Sequence, residues 1–183
     1  MADRAVPRTP ARQAALHRMI RVDQAGEYGA TRIYAGQLAV IGDRGPHAAK
    51  IAAMAAQEAE HRQRFDALMA RRGVRPTALQ PVWSIAGYAL GVATALIGPE
   101  AAMACTAAVE EEIDRHYSAQ LDDLAESGDD PELTAMVDAF REEEREHRET
   151  ALAAGAERAP AYPLLAGAIR LGCRAAIRLS ERL

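Results

Sequence analysis

Two Glu-x-x-His pairs, Glu58 with His61 and Glu144 with His147, set a carboxylate and an imidazole three residues apart, the spacing that brings both onto one face of an α-helix. Two further acids, Glu27 and Glu110, precede these pairs at nearly equal separations, and each has a tyrosine seven residues later, Tyr34 and Tyr117. The order Glu, then Glu-x-x-His, therefore occurs twice and reads as an internal duplication of a helix pair. One Glu from each of two helices with a Glu-x-x-His from each of two others is the ligand set of bundles that hold two iron or manganese ions. Four carboxylates balance the charge of two divalent ions. Mixed carboxylate and imidazole ligation suits iron or manganese, and two iron ions are the expected cofactor.

The neighbours of each candidate ligand say whether it points inward. Ile20, Glu27, Tyr34 and Ile41 follow one another at sevens, and the other stripes are Met54, Glu58, His61, Phe65, Leu68; Met103, Glu110, Tyr117, Leu124; and Leu133, Val137, Phe140, Glu144, His147, Ala151. Every stripe carries acid and none carries Lys or Arg. An unpaired buried carboxylate costs several kcal/mol against a total stability of about 5–15 kcal/mol, so four of them converging require cations between them. A single Glu-x-x-His on a solvated helix would be an ordinary accident; two in register with two further inward acids are not. By analogy with such sites, Glu58 and Glu144 are expected to bridge the ions, with Glu27 and His61 completing one and Glu110 and His147 the other. Glu111, Glu112, Glu142 and Glu143 are read as solvated or as lying behind the ligands.

Four helices must position these groups. The composition is rich in Ala, Leu, Glu and Arg with only 4% aromatic residues, which favours an all-α fold, and 183 residues suit one domain, 1–183. Thr9-Pro10 starts helix one, which runs to Gly42; a short turn through Pro46 leads to helix two, stopped by Gly73. Helix three begins at Gly98-Pro99 and reaches about Glu126, and helix four follows Pro131 towards Gly155.

Two segments exceed what a four-helix bundle needs. Between Arg75 and Glu100 no residue is charged. A straight helix from Val82 to Glu110 would span about 42 Å, about twice the roughly 21 Å from Glu58 to the end of helix two, so residues 82–97 are expected to leave the bundle axis at Gly98-Pro99. That stretch is short for a membrane span, and lying in a membrane interface is the preferred expectation, with burial against the bundle or a partner subunit as the alternative. After Pro163 a C-terminal amphipathic helix is expected from Leu164, with Arg170, Arg174, Arg178 and Arg182 as a basic stripe towards an anionic membrane surface.

The remaining features are quieter. Tyr34 and Tyr117 are expected to be chiefly structural, with hydrogen bonding to the metal site as the alternative, and His116 either structural or a carrier of protons or electrons. His17 and His47 are read as solvated. Cys105 and Cys173 indicate neither a disulfide framework nor a thiolate metal site. A net charge of −4, with no block of Lys and Arg interleaved with aromatics, makes nucleic acid an unexpected partner. The opening MADRAVPRTPAR has no apolar export segment and is read as too short for a mitochondrial presequence.

The string Ile20-Arg21-Val22-Asp23-Gln24-Ala25-Gly26-Glu27-Tyr28-Gly29-Ala30, with Arg32 to Gln37, resembles the demethoxyubiquinol hydroxylase family of ubiquinone biosynthesis. So do Met103 to Thr106, Val109-Glu110-Glu111, His116-Tyr117 and the ending from Ala159 to Leu183. The likeness covers nearly the whole chain, and all six positions of the family's ligand pattern match. It implies a ferritin-like di-iron monooxygenase that uses O2 to hydroxylate the ring of a polyprenylated demethoxyubiquinol at a membrane, its metals bound and its catalysis carried by Glu27, Glu58, His61, Glu110, Glu144 and His147. NADH or the quinol itself is the candidate electron donor, and a lipid-binding protein of the same pathway is a candidate partner. The N-terminus suggests a bacterial member, peripheral on the cytoplasmic face of the cell membrane; a eukaryotic one would sit on the matrix face of the mitochondrial inner membrane. A ferroxidase or a rubrerythrin-like peroxidase would use a similar site, and a non-enzymatic helical scaffold would leave the inward acids unexplained.

Overall fold

A proline stands in the first turn of every α-helix in the described residues, where its missing N–H leaves no hydrogen bond unmade. The computed structural model describes residues 9–182, and the first eight residues of the opening stretch read for targeting signals lie outside them. The helices are α1 (Pro10–Ile41), α2 (Pro46–Arg72), α3 (Gln80–Ile97), α4 (Pro99–Ser127), α5 (Pro131–Ala153) and α6 (Tyr162–Ser180), with a 3-10 turn at Ala156–Arg158. The Thr9 hydroxyl accepts from Arg12 N–H at 3.2 Å, and Asp130 caps α5 by accepting from Leu133 N–H at 3.2 Å. Gly73 and Gly128 end α2 and α4 in the left-handed conformation.

Helices α1 and α2 form one hairpin, α4 and α5 the other, and together they make the all-α, ferritin-like bundle. The inward stripes are buried: Ile20, Phe65, Leu68, Met103, Leu133, Val137, Phe140 and Ala151 are fully enclosed, whereas Ile41 is only half-buried. Below the acidic layer the core is aromatic and aliphatic, with Phe65 and Phe140 edge to face. Above it, small residues predominate, among them Ala101, Ala102, Ala104 and Ala107.

The break at Gly98 is where expected, and α3 does not prolong α4 but packs along α1. Its approach is too close for side chains. A Cβ on Gly91 would overlap the carbonyl oxygen of Ile33, and one on Gly36 would overlap that of Tyr88. Helix α6 packs on α4 without such a close approach, since a Cβ on Gly167 or Gly172 would meet nothing. Each repeat thus consists of a bundle hairpin and a third helix laid on its first. The final helix starts two residues earlier than Leu164, with Pro163 inside its first turn and Ala161 entering at φ 52°.

Candidate metal centre

Each bundle helix delivers its acid to one layer. Glu27 from α1, Glu58 and His61 from α2, Glu110 from α4, and Glu144 and His147 from α5 are all at most 3% exposed. Donor atoms of Glu27, Glu58, His61 and Glu144 lie within 4.8 Å of one another, and those of Glu58, Glu110, Glu144 and His147 form a second such group. The structure therefore brings together all six residues singled out from the sequence. Glu58 and Glu144 are common to both groups.

The imidazoles face the cluster through Nδ1. His61 Nδ1 is 3.0 Å from Glu144 Oε1 and 3.4 Å from Glu27 Oε2, and His147 Nδ1 is 3.0 Å from Glu144 Oε2 and 3.2 Å from Glu58 Oε1. Electrostatics shows how the chain copes with so much acid. Burial, followed by repulsion from Glu144, raises the Glu58 and Glu110 carboxyls well above the usual range. Glu27 is raised too, by burial first. Glu144 goes the other way: burial opposes its charge, but hydrogen bonds from His147 and His61 outweigh it and pull the group to about 2. For His61, burial opposes the imidazolium, yet Glu144 and Glu27 push it up to about 11.

The donor set fits such cations. Glu27 Oε2 and Glu58 Oε1 are buried acceptors without a hydrogen-bond partner, and four carboxylates with two inward Nδ1 atoms match hard or borderline divalent ions.

Other partners of this layer were read from the sequence only as alternatives or were not singled out. Tyr34 and Tyr117, expected to be chiefly structural, each donate a hydrogen bond to an acid of the cluster. Tyr34 Oη meets Glu110 Oε1 at 2.9 Å and Tyr117 Oη meets Glu27 Oε1. A buried phenol seeks an acceptor, and the carboxylate opposite is the nearest one. His116 Nε2 lies 3.0 Å from Asp23 Oδ1, which also accepts from Gln120 Nε2 at 2.7 Å. Burial pushes the Asp23 carboxyl up, although His116 counters part of the effect. Asp23 sits one turn before Glu27 on the same stripe, a signal that was available. His47, read as solvated, is half-buried, with Nε2 3.2 Å from the Ala154 carbonyl oxygen.

The acids beside the cluster divide. Glu143 reaches His61, whereas Glu111 and Glu112 meet α6: Arg170 Nη1 is 2.9 Å from Glu111, and Arg174 Nε is 3.5 Å from Glu112. Half of the basic stripe thus turns to the chain's own acids rather than outward.

An apolar cleft of about 430 Å³ opens between α3 and α6. Its floor includes Gly26 and Ala30 of α1 and Val109 and Ile113 of α4, all within one helical turn of Glu27 or Glu110, and Trp83 Nε1 closes one end by donating to Ser180 Oγ at 3.0 Å. Outside it, Ile85 and Leu96 of α3 and Leu164 and Leu171 of α6 are between 67% and 77% exposed. Helix α3 is long and apolar enough to cross a membrane by length and composition alone.

A sequence profile of the family described as ubiquinone biosynthesis protein COQ7 matches residues 14–180. The chain belongs to this family. Among its relatives, the 3-demethoxyubiquinol 3-hydroxylase of Rhodospirillum rubrum is 52% identical over 177 residues, 97% of this chain and 82% of the relative. The human NADPH-dependent 3-demethoxyubiquinone 3-hydroxylase, named as mitochondrial, is 52% identical over 175 residues, 93% of this chain and 79% of the relative. The mitochondrial 5-demethoxyubiquinone hydroxylase of Saccharomyces cerevisiae is 42% identical over 187 residues, 94% and 80% of the two chains. Family membership thus joins a hydroxylase lineage to a buried Glu and His cluster able to hold metal.

Proposed function

We propose that this protein hydroxylates the ring of a polyprenylated demethoxyubiquinol in ubiquinone biosynthesis, with two iron ions held by Glu27, Glu58, His61, Glu110, Glu144 and His147. The observation that carries the reading is the apolar cleft, whose floor includes Gly26 and Val109, the chain neighbours of Glu27 and Glu110. A site made only to oxidise iron has no use for such a cleft. A quinol ring with a hydrocarbon tail fills one naturally: the tail lies between α3 and α6, and the ring reaches the acidic layer between α1 and α4.

When bound, the two iron ions supply the reductive activation of O2. The reaction replaces a ring C–H by C–OH, with the second oxygen leaving as water, and consumes two electrons and two protons. The chain's own work is positioning and exclusion. Glu58 and Glu144 belong to both donor groups and support bridging, while Tyr34 and Tyr117 hold Glu110 and Glu27 in place. The small residues of the cleft leave room for the tail and keep water from the reacting ring. The mammalian relatives' names favour NADPH over NADH or the quinol alone as the electron source.

The exposed apolar residues Ile85 and Leu96 of α3 and Leu164 and Leu171 of α6, the two helices that wall the cleft, support a peripheral membrane site with the substrate entering from lipid, and the face proposed is the cytoplasmic one of a bacterial membrane. The same residues would suit a lipid-binding partner protein of the pathway.

A single turnover of iron-loaded, reduced protein with a short-tailed demethoxyubiquinol and isotopically labelled O2 tests the proposal by mass spectrometry. Label in the new ring hydroxyl is expected. Oxidised iron with unchanged quinol would favour the ferroxidase or peroxidase alternatives.

A further inference from the structure

The two halves of the cluster are related by the internal repeat, and their hydrogen bonds follow that relation closely. Tyr34 of the first repeat serves Glu110 of the second, and Tyr117 of the second serves Glu27 of the first. The outer nitrogens of the imidazoles obey the same rule. His61 Nε2 is 2.7 Å from Glu143 Oε2, and His147 Nε2 is 2.9 Å from Gln57 Oε1. Gln57 immediately precedes Glu58 and Glu143 immediately precedes Glu144, so one position of the repeat is read twice, once as an amide and once as a carboxylate.

Both partners can accept the Nε2 proton and so aim Nδ1 at the cluster, which accounts for a hydrogen-bonding residue at this position in both repeats. Only Glu143 adds a negative charge. A carboxylate behind an imidazole raises its basicity as a ligand, whereas a neutral amide does so far less. The tyrosines do not break the symmetry, since each half has one.

We infer that the Gln57/Glu143 difference makes the two metal positions unequal: the one served by His61 and Glu27 binds its ion more tightly and fills first, and the one served by His147 and Glu110 fills second. Glu143 and Gln57 act as positioning residues through the imidazoles. This rests on the reading of the cluster as a two-metal site.

The test is a calorimetric titration of the metal-free full-length protein with Fe(II) under anaerobic conditions, with helicity followed by circular dichroism. Wild-type protein is expected to bind in two steps about 10–100-fold apart, the range over which such outer partners change metal affinity. Glu143→Gln should bring the steps together by weakening the first, and Gln57→Glu should do so by tightening the second. Either variant carries the test if the other fails to fold. Two steps that neither substitution moves, or a single step in wild-type protein that both leave unchanged, would overturn the inference. Absence of any Fe(II) binding by folded wild-type protein would instead remove the two-metal reading beneath it.

Discussion

The phenol of Tyr117, on α4, donates to the carboxylate of Glu27, on α1, and so ties the acid of one repeat to the other repeat. Tyr34 returns the bond to Glu110. Each lone acid of the cluster is thereby held from across the bundle rather than from its own helix. Tyr117→Phe leaves a buried carboxyl oxygen without its donor, which should cost about 1–3 kcal/mol in thermal or denaturant unfolding of the metal-free protein. Metal affinity should fall with it in a titration, and Tyr34→Phe should behave alike.

Because Glu144 belongs to both donor groups, its loss should be felt at both metal positions. Glu144→Gln is expected to reduce bound iron at both and to abolish turnover while helicity stays largely intact. Glu110→Gln, which touches one group, should retain closer to one ion per chain. Metal analysis of the purified variants beside their circular dichroism distinguishes the two cases.

The acid layer also sets a pH dependence for the metal-free protein. Glu27, Glu58 and Glu110 bind their protons more tightly in the fold than at the ordinary value of 4.5. Their contribution to stability is therefore whole below 4.5 and is lost as pH rises through the raised values. His61, held up to about 11, acts in the same sense above its ordinary 6.5. Glu144, pulled down to about 2, contributes above 4.5 and fades only as pH falls towards 2. Three raised carboxyls outweigh one lowered one, so the metal-free protein should melt highest in mildly acidic solution and lose stability towards alkaline pH. Metal binding releases those protons and should grow tighter as pH rises. Melting curves across pH, with and without Mn(II), check both signs.

The exposed apolar residues of α3 and α6 should matter to lipid binding and little to folding. Ile85 is 74% exposed and Leu171 is 67% exposed, so Ile85→Glu or Leu171→Glu removes apolar surface that mostly faces away from the chain. Each should leave the melting temperature nearly unchanged and weaken sedimentation with anionic vesicles several-fold. Vesicle binding that stays at the wild-type level would argue for a protein partner on this face.

The linear sequence by itself determined the helices and the inward acids. Thr9-Pro10, Pro46, Gly73, Gly98-Pro99 and Pro131 mark ends because capping and proline chemistry act within a turn. The stripes through Glu27, Glu58, Glu110 and Glu144 were legible because one helical period is enough to assign a face. What crosses between helices was not. The exchange of Tyr34 and Tyr117 between repeats, the Asp23 contact with His116, and the turn of Arg170 and Arg174 towards Glu111 and Glu112 depend on which faces meet and at what height. The same holds for Gly36 and Gly91, whose missing side chains let α3 lie against α1, and for the cleft that results. Local spacing limits only the direction in which a side chain leaves its helix; the packing of helices far apart in the chain decides what it meets there.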